Sequence, residues 1–304
     1  MIFQTAFCIF LVAAFTACAA DQPQRYFWLD SFELKDTIPK RLQTPPGFNR
    51  VQSPENSFAD WLRNLPLKPG KSQVMIRHNQ IKTIQESHWA AVDIDQGWRN
   101  GQQGMGAIFR LWSEYLFFQK RYQEISYIAE NNCRMSYFWW CYGYRPDLRY
   151  ENRYYSDKFW IKNYDHKSLV SFFPEYLKNQ SAVFNLKKYR GIQGFEELKI
   201  GDIFSTGKFR ERSLIVVDEA ENPYTGARIF LLAQGGDPNQ DLQILVNPVD
   251  HEYSPWYKIN RETKKIETPE HTYYVGDVMR IWGDKDYLFY PEVWIDEYID
   301  PISR

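Results

Sequence analysis

Cysteine is scarce: the 304 residues hold four, at Cys8, Cys18, Cys133 and Cys141. Two fall in the first twenty residues, which excludes the dense disulfide framework that holds small secreted domains together. The five histidines (His78, His88, His166, His251 and His271) are scattered, with no HxxxH or CxxC pair anywhere. That argues against a zinc site, and no metal or cofactor is expected. An excess of charge is also lacking. Lys and Arg number 37 against 38 Asp and Glu, a net charge of −1, and no long basic run occurs. Nucleic acid is therefore not an expected partner. Beyond the N-terminus there is no apolar run of the ~20 residues that a membrane-spanning helix needs.

Aromatic residues are abundant, with 11 Trp, 21 Tyr and 21 Phe making up 17% of the chain. Rings in such number fill a core or line a groove that stacks on sugars, and core filling is the commoner use. Met1 to Ala20 (MIFQTAFCIFLVAAFTACAA) has the short apolar centre and small-residue end of a secretory signal, without its basic start. Phe15-Thr16-Ala17-Cys18 is similar to a bacterial lipobox, which would leave a lipidated Cys18. Small residues at Ala17 and Ala19, or at Cys18 and Ala20, suit ordinary signal peptidase instead. A cysteine at the boundary favours the lipoprotein. Either route exports the chain, to the periplasm or to the outer membrane, with membrane contact only through the anchor. In such an oxidising compartment Cys133 and Cys141 are candidates to pair.

The centre of the chain is Gly201 to Gln234. Two apolar runs, Arg212 to Val217 (RSLIVV) and Arg228 to Ala233 (RIFLLA), flank Asn222-Pro223-Tyr224-Thr225-Gly226. Pro presets φ and Gly supplies a left-handed position, so this is a hairpin turn. Unbroken apolar runs predict strands buried on both faces, in the middle of a sheet. Upstream, Ser57 caps a helix over Phe58, Trp61, Leu62 and Leu65, with Asp60 completing a capping box. Gln73–Arg77 and His88–Ile94 are strand-like. The longest helical period runs over Gly101–Tyr122. Tyr127–Trp140 and Lys158–Lys162 look extended, and Ser168–Leu186 is helical by period. Further strands are expected at Asp241–Val246 and Met279–Trp282. These elements compose one α+β domain, residues 45–283, with a tether at 21–44 and a polar-aromatic tail at 284–304.

Several stretches in order resemble one family of exported bacterial proteins, the domain-of-unknown-function family 4846. They include PPGFNRV at 45–51, SFADWLRNLPLKP at 57–69, HWAAVDID at 88–95 and QQGMGAIFRLWSEYL at 102–116. They continue as IGDIF at 200–204, LIVVDEAENPYTGARIFLLAQ at 214–234, LVNP at 245–248, SPWY at 254–257 and TPEHT at 268–272. That family in turn looks like a papain-like, NlpC-type cysteine hydrolase scaffold, a central antiparallel sheet packed against a long helix. Such a resemblance implies a Cys at a helix N-terminus, a His on the first strand of the sheet and a polar residue on the next. The helix start stabilises the thiolate, the imidazole carries the proton and the third group fixes its tautomer.

Two of those positions depart from the pattern. Gly104 stands at the Cys position, in Gln102-Gln103-Gly104, and Arg212 at the His position; Gln234 keeps the third. Gly carries no nucleophile, and Arg stays protonated and cannot serve as a base. The resemblance thus implies a degenerate member whose cleft binds, through Gly104, Arg212, Gln234 and His88, a carboxylate such as the end of a cell-wall peptide. Partners of that kind are peptidoglycan or a cell-envelope protein. An active envelope hydrolase using other residues, and a structural lipoprotein of an envelope complex, are the alternatives. Cys133 or Cys141 with His166 or His271 would be a weaker catalytic pair. Asp93 with Asp95 share a strand face, whereas Asp218 and Glu219 point to opposite faces; neither pair brackets a sugar as glycoside hydrolysis requires. The ring cluster Tyr137–Tyr144 is a candidate sugar platform.

Overall fold

The structure is a computed structural model that describes residues 24–95, 104–128, 134–147, 149, 154–156, 164–177, 190–206, 212–236 and 239–280. Its frame is one nine-stranded antiparallel sheet. The strands are β1 (Asn49–Arg50), β2 (His88–Ala91), β3 (Arg190–Gly191), β4 (Ile203–Thr206), β5 (Arg212–Glu221), β6 (Arg228–Gln234), β7 (Gln243–Leu245), β8 (Tyr257–Ile259) and β9 (Val278–Arg280). The order across the sheet is β2-β7-β6-β5-β4-β9-β3, with β1 added to β5 and β8 to β6. The β5–β6 hairpin is central, as its apolar runs require, and the chain reverses where Gly226 takes φ 67°.

Side chains alternate across this sheet and build two cores. On one face Ile203, Ile215, Ala233 and Ile244 meet helix α3 (Met105–Phe118) and most of the aromatic rings. On the other, Phe204, Leu214, Val216, Leu232 and Leu245 meet Tyr257 and the small hairpin Lys265–Glu267/Thr272–Tyr274, whose Tyr273 packs edge-on to Phe204. The two faces share a buried charge anchor at the bulge between Val216 and Asp218. There Asp218 takes Nε of Arg63 at 2.6 Å and Nε of Arg50 at 2.7 Å, on the helix face. Its neighbour Glu219 pairs with Arg228.

Helix α3 is apolar around most of its circumference and is buried along nearly its whole length. Its buried Arg110 is held by Asp95, and Glu114 one turn later binds His166 of helix α5 (His166–Leu177) at 2.9 Å. Ser57 caps helix α2 (Phe58–Arg63) as expected, its hydroxyl accepting from the Asp60 amide at 3.1 Å. Among the described residues no helix is long and apolar enough to cross a membrane.

Two expectations need correction. Residues 24–44 are no tether. Tyr26, Ile38 and Leu42 are buried in the helix-side core, and the Tyr26 hydroxyl donates to the Trp61 carbonyl at 3.0 Å. Isolated anchors without a period hold this segment down, so no amphipathic pattern announced it. Second, Tyr137–Cys141 is not extended but a short helix, capped by Ser136, following a hairpin of Ser126–Ile128 with Arg134–Ser136. Its Tyr137 is fully buried, and Trp140 lies under the Arg145 guanidinium at 3.5 Å, so these rings pack inward or on neighbours. Cys141 is a free buried thiol, and Cys133, its candidate partner, lies outside the described residues. The leader with Cys18, Lys158–Lys162, and the tail also lie outside them.

Candidate functional site

Strand parity decides which predicted residues meet. Gly104 does begin α3, at φ 49° and ψ −122°, a backbone conformation that only glycine adopts without strain. It thus stands on the helix side of the sheet. Leu214 pairs with Gln234 across β5 and β6, and Leu214 belongs to the opposite core. Gln234 and Arg212, two residues before Leu214, therefore lie on the face away from α3. The residue of β5 that turns toward the helix is Ser213, whose hydroxyl bonds Ser205 on β4 at 2.8 Å. The expected single cleft of Gly104, Arg212 and Gln234 is not formed.

What Arg212 and Gln234 do join is a polar cluster under the loop Thr268–Thr272. Gln234 donates from Nε2 to Glu270 at 2.9 Å. The same carboxylate holds the ammonium of Lys82, which also reaches Ser87 Oγ at 3.1 Å and Oε1 of Gln243 at 3.4 Å. Gln243 is the cross-strand partner of Gln234. Arg212 donates from Nη1 to Nδ1 of His271 at 3.1 Å. A guanidinium has no acceptor, so Nδ1 must accept, and the imidazole proton sits on Nε2. Burial, followed by the neighbouring Arg212 charge, pulls the His271 pKa below its ordinary value and keeps the ring neutral. His271 stacks edge-on to Tyr273 with centroids 5.0 Å apart. Asp218 is held by Arg50 and Arg63 rather than by Arg212, and Glu211 lies outside the described residues.

Three atoms of this cluster are buried without a hydrogen-bond partner among the described residues: Gln234 Oε1, Gln243 Nε2 and the Tyr273 hydroxyl. A carboxamide group sealed away from water costs on the order of 1–3 kcal/mol when unpaired. Two on adjacent strands, one an acceptor and one a donor, form a matched edge for another amide. His88 lies at the far side of Ser87, buried, donating from Nε2 to the Ser72 carbonyl at 3.0 Å, so it is held by the chain.

At Cys141 the cysteine alternative is opposed by burial, which pushes the thiol up to about 11 and away from thiolate chemistry, and Cys133 lies outside the described residues. His166 is engaged with Glu114. Among the described residues no cluster of histidine, cysteine or carboxylate is arranged to hold a metal. Lys82, Gln243 and Glu270 escaped the sequence-based site, and His271 entered the sequence reading only as a partner for a cysteine. Only TPEHT, one of the family-like stretches, pointed to two of them.

The match to known families is broad. The model of domain of unknown function 4846 covers residues 38–280. The chain belongs to that family. No curated protein and no solved structure matches this member of family 4846. The matched span takes in β1 to β9 and every residue of the polar cluster, and it starts within the segment expected to be a tether.

Proposed function

We propose that this chain is an exported cell-envelope protein that binds a cell-wall component or a protein partner by the free carboxyl end of a peptide, without thiol chemistry. The adjacent carboxamides of Gln234 and Gln243, each with one buried atom unpaired, carry this reading. Gln234 offers an acceptor to a peptide N–H, and Gln243 a donor to the peptide carbonyl. Arg212, exposed at the rim, provides the planar fork that suits a terminal carboxylate, and neutral His271 adds an Nε2–H donor. Glu270, itself partly exposed, is the group a ligand would displace to reach Gln234.

Support for a papain-like ancestry is an antiparallel sheet with a helix on one face, and Arg212 and Gln234 on neighbouring strands. A glycine at the helix start and a guanidinium on β5 leave neither thiolate nor base, so the scaffold is read as degenerate. Export rests on the leader, with Cys18 as the lipidation point.

Calorimetric titration with an N-acetylated dipeptide bearing a free carboxylate tests the binding site. Binding is expected, reduced at least tenfold when the carboxylate is amidated and equally reduced in Arg212→Ala. Indifference to both changes would sink the proposal. So would cleavage of purified peptidoglycan by the wild-type chain.

A further inference from the structure

A separate cavity of about 620 Å³ opens at the end of β2, on residues the polar cluster does not use. Its wall includes Trp28, Lys68, Arg77, Asp93, Asp95 and Asp241. Most of these charges are already matched. Lys68 binds Asp241 at 2.7 Å, and Asp95 is clamped by Arg110 from α3. Two remain. The Asp93 carboxylate and the Arg77 guanidinium have no hydrogen-bonded or ion-pair partner among the described residues.

The wall that carries Arg77 is pinned. The Arg77 amide donates to the Asn239 carbonyl at 2.8 Å, and the Asp241 amide to Met75 at 2.9 Å. Immediately after Arg77, His78 and Asn79 both take positive φ, 61° and 57°, in the left-handed region that these two residue types enter more readily than most. The backbone pairing to Asn239 and this turn together set Arg77 at the rim. Elsewhere in the wall the Trp28 indole donates to the Asp93 carbonyl at 2.6 Å, fixing the strand end that bears the carboxylate. Leu29, Met75 and Ile94 add apolar lining.

We infer that this cavity binds a short zwitterionic peptide, its ammonium on Asp93 and its carboxylate on Arg77. The leftover charges are one of each sign, which a neutral sugar would leave uncompensated. A space of this size takes two or three residues, within the usual range for small-ligand sites of about 300–1,000 Å³. Burial raises the Asp93 pKa against the opposing charge of Lys68, and a ligand ammonium would add to that opposition by favouring the charged form.

The test follows the Trp28 indole N–H by NMR during titration with trialanine, N-acetyl-trialanine amide and chitobiose, in an Arg212→Ala background that silences the other site. Trialanine alone is expected to shift the Trp28 signal. Asp93→Asn and Arg77→Ala should each weaken it at least tenfold, with circular dichroism confirming the fold. Blocking only the amine should cost nothing further in Asp93→Asn. No Trp28 response to trialanine, an equal response to the capped peptide, or a response to chitobiose alone would overturn the inference. Failure here leaves the Arg212 site standing, since the acetylated acid that probes that site carries no ammonium.

Discussion

Two buried polar clusters, one on each face of the central sheet, are satisfied to different degrees. On the helix face, Asp218 is fully buried and its carboxylate is matched by two arginines and by the Glu219 amide at 2.9 Å. On the other face, Gln234, Gln243 and Tyr273 are buried just as deeply and each keeps one polar atom unmatched. Saturated groups of the first kind hold a fold in one arrangement; unsaturated groups of the second kind are a standing cost that a ligand can relieve. On the proposed reading the helix face is the scaffold and the hairpin face the binding surface.

The sharpest way to break this comparison is at Asp218. Replacement by Ala strands Arg63 and Arg50, and denaturant unfolding should show a loss of about 3–5 kcal/mol. A loss under 1 kcal/mol would mean that the triad is not the anchor described. Gln243→Leu on the other face should act in the reverse sense. Removing an unmatched buried amide should leave stability within about 1 kcal/mol of wild type, or raise it, while peptide-acid binding disappears. Marked destabilisation would show that Gln243 serves the fold.

The smallest effect concerns His271. Its depressed pKa means that the folded chain binds fewer protons than the unfolded chain between that value and about 6.5. Stability should therefore fall as pH drops through this window and level off below it. By NMR titration, Arg212→Ala should move the His271 midpoint upward, but short of the ordinary value, because burial is the larger cause. An unmoved midpoint would dissociate the pair.

Much of the frame was legible. The uninterrupted runs RSLIVV and RIFLLA can only be buried on both sides, and they became β5 and β6. The period from Met105 to Phe118 gave α3 its length, and Ser57 its cap gave α2. Half the candidate site was legible too, because Arg212 and Gln234 sit at the ends of those strands. The other half was not. Lys82, Gln243 and Glu270 come together from loops and a short strand far apart in the chain, which no local period encodes. The misplacement of Gly104 has a simple cause. Resemblance aligned three positions along the chain, but the alternation of β5 puts Ser213, not Arg212, on the helix side.

The backbone at Gly104 also bears on what chemistry this helix start can host. At φ 49° and ψ −122° a side chain of any kind is strained, so Gly104→Cys would not simply place a nucleophile at the start of α3. Turn and side chain would have to change together, and on the far face Arg212 would gain nothing from the change. A helix start in a glycine-only shape is closed to substitution one residue at a time.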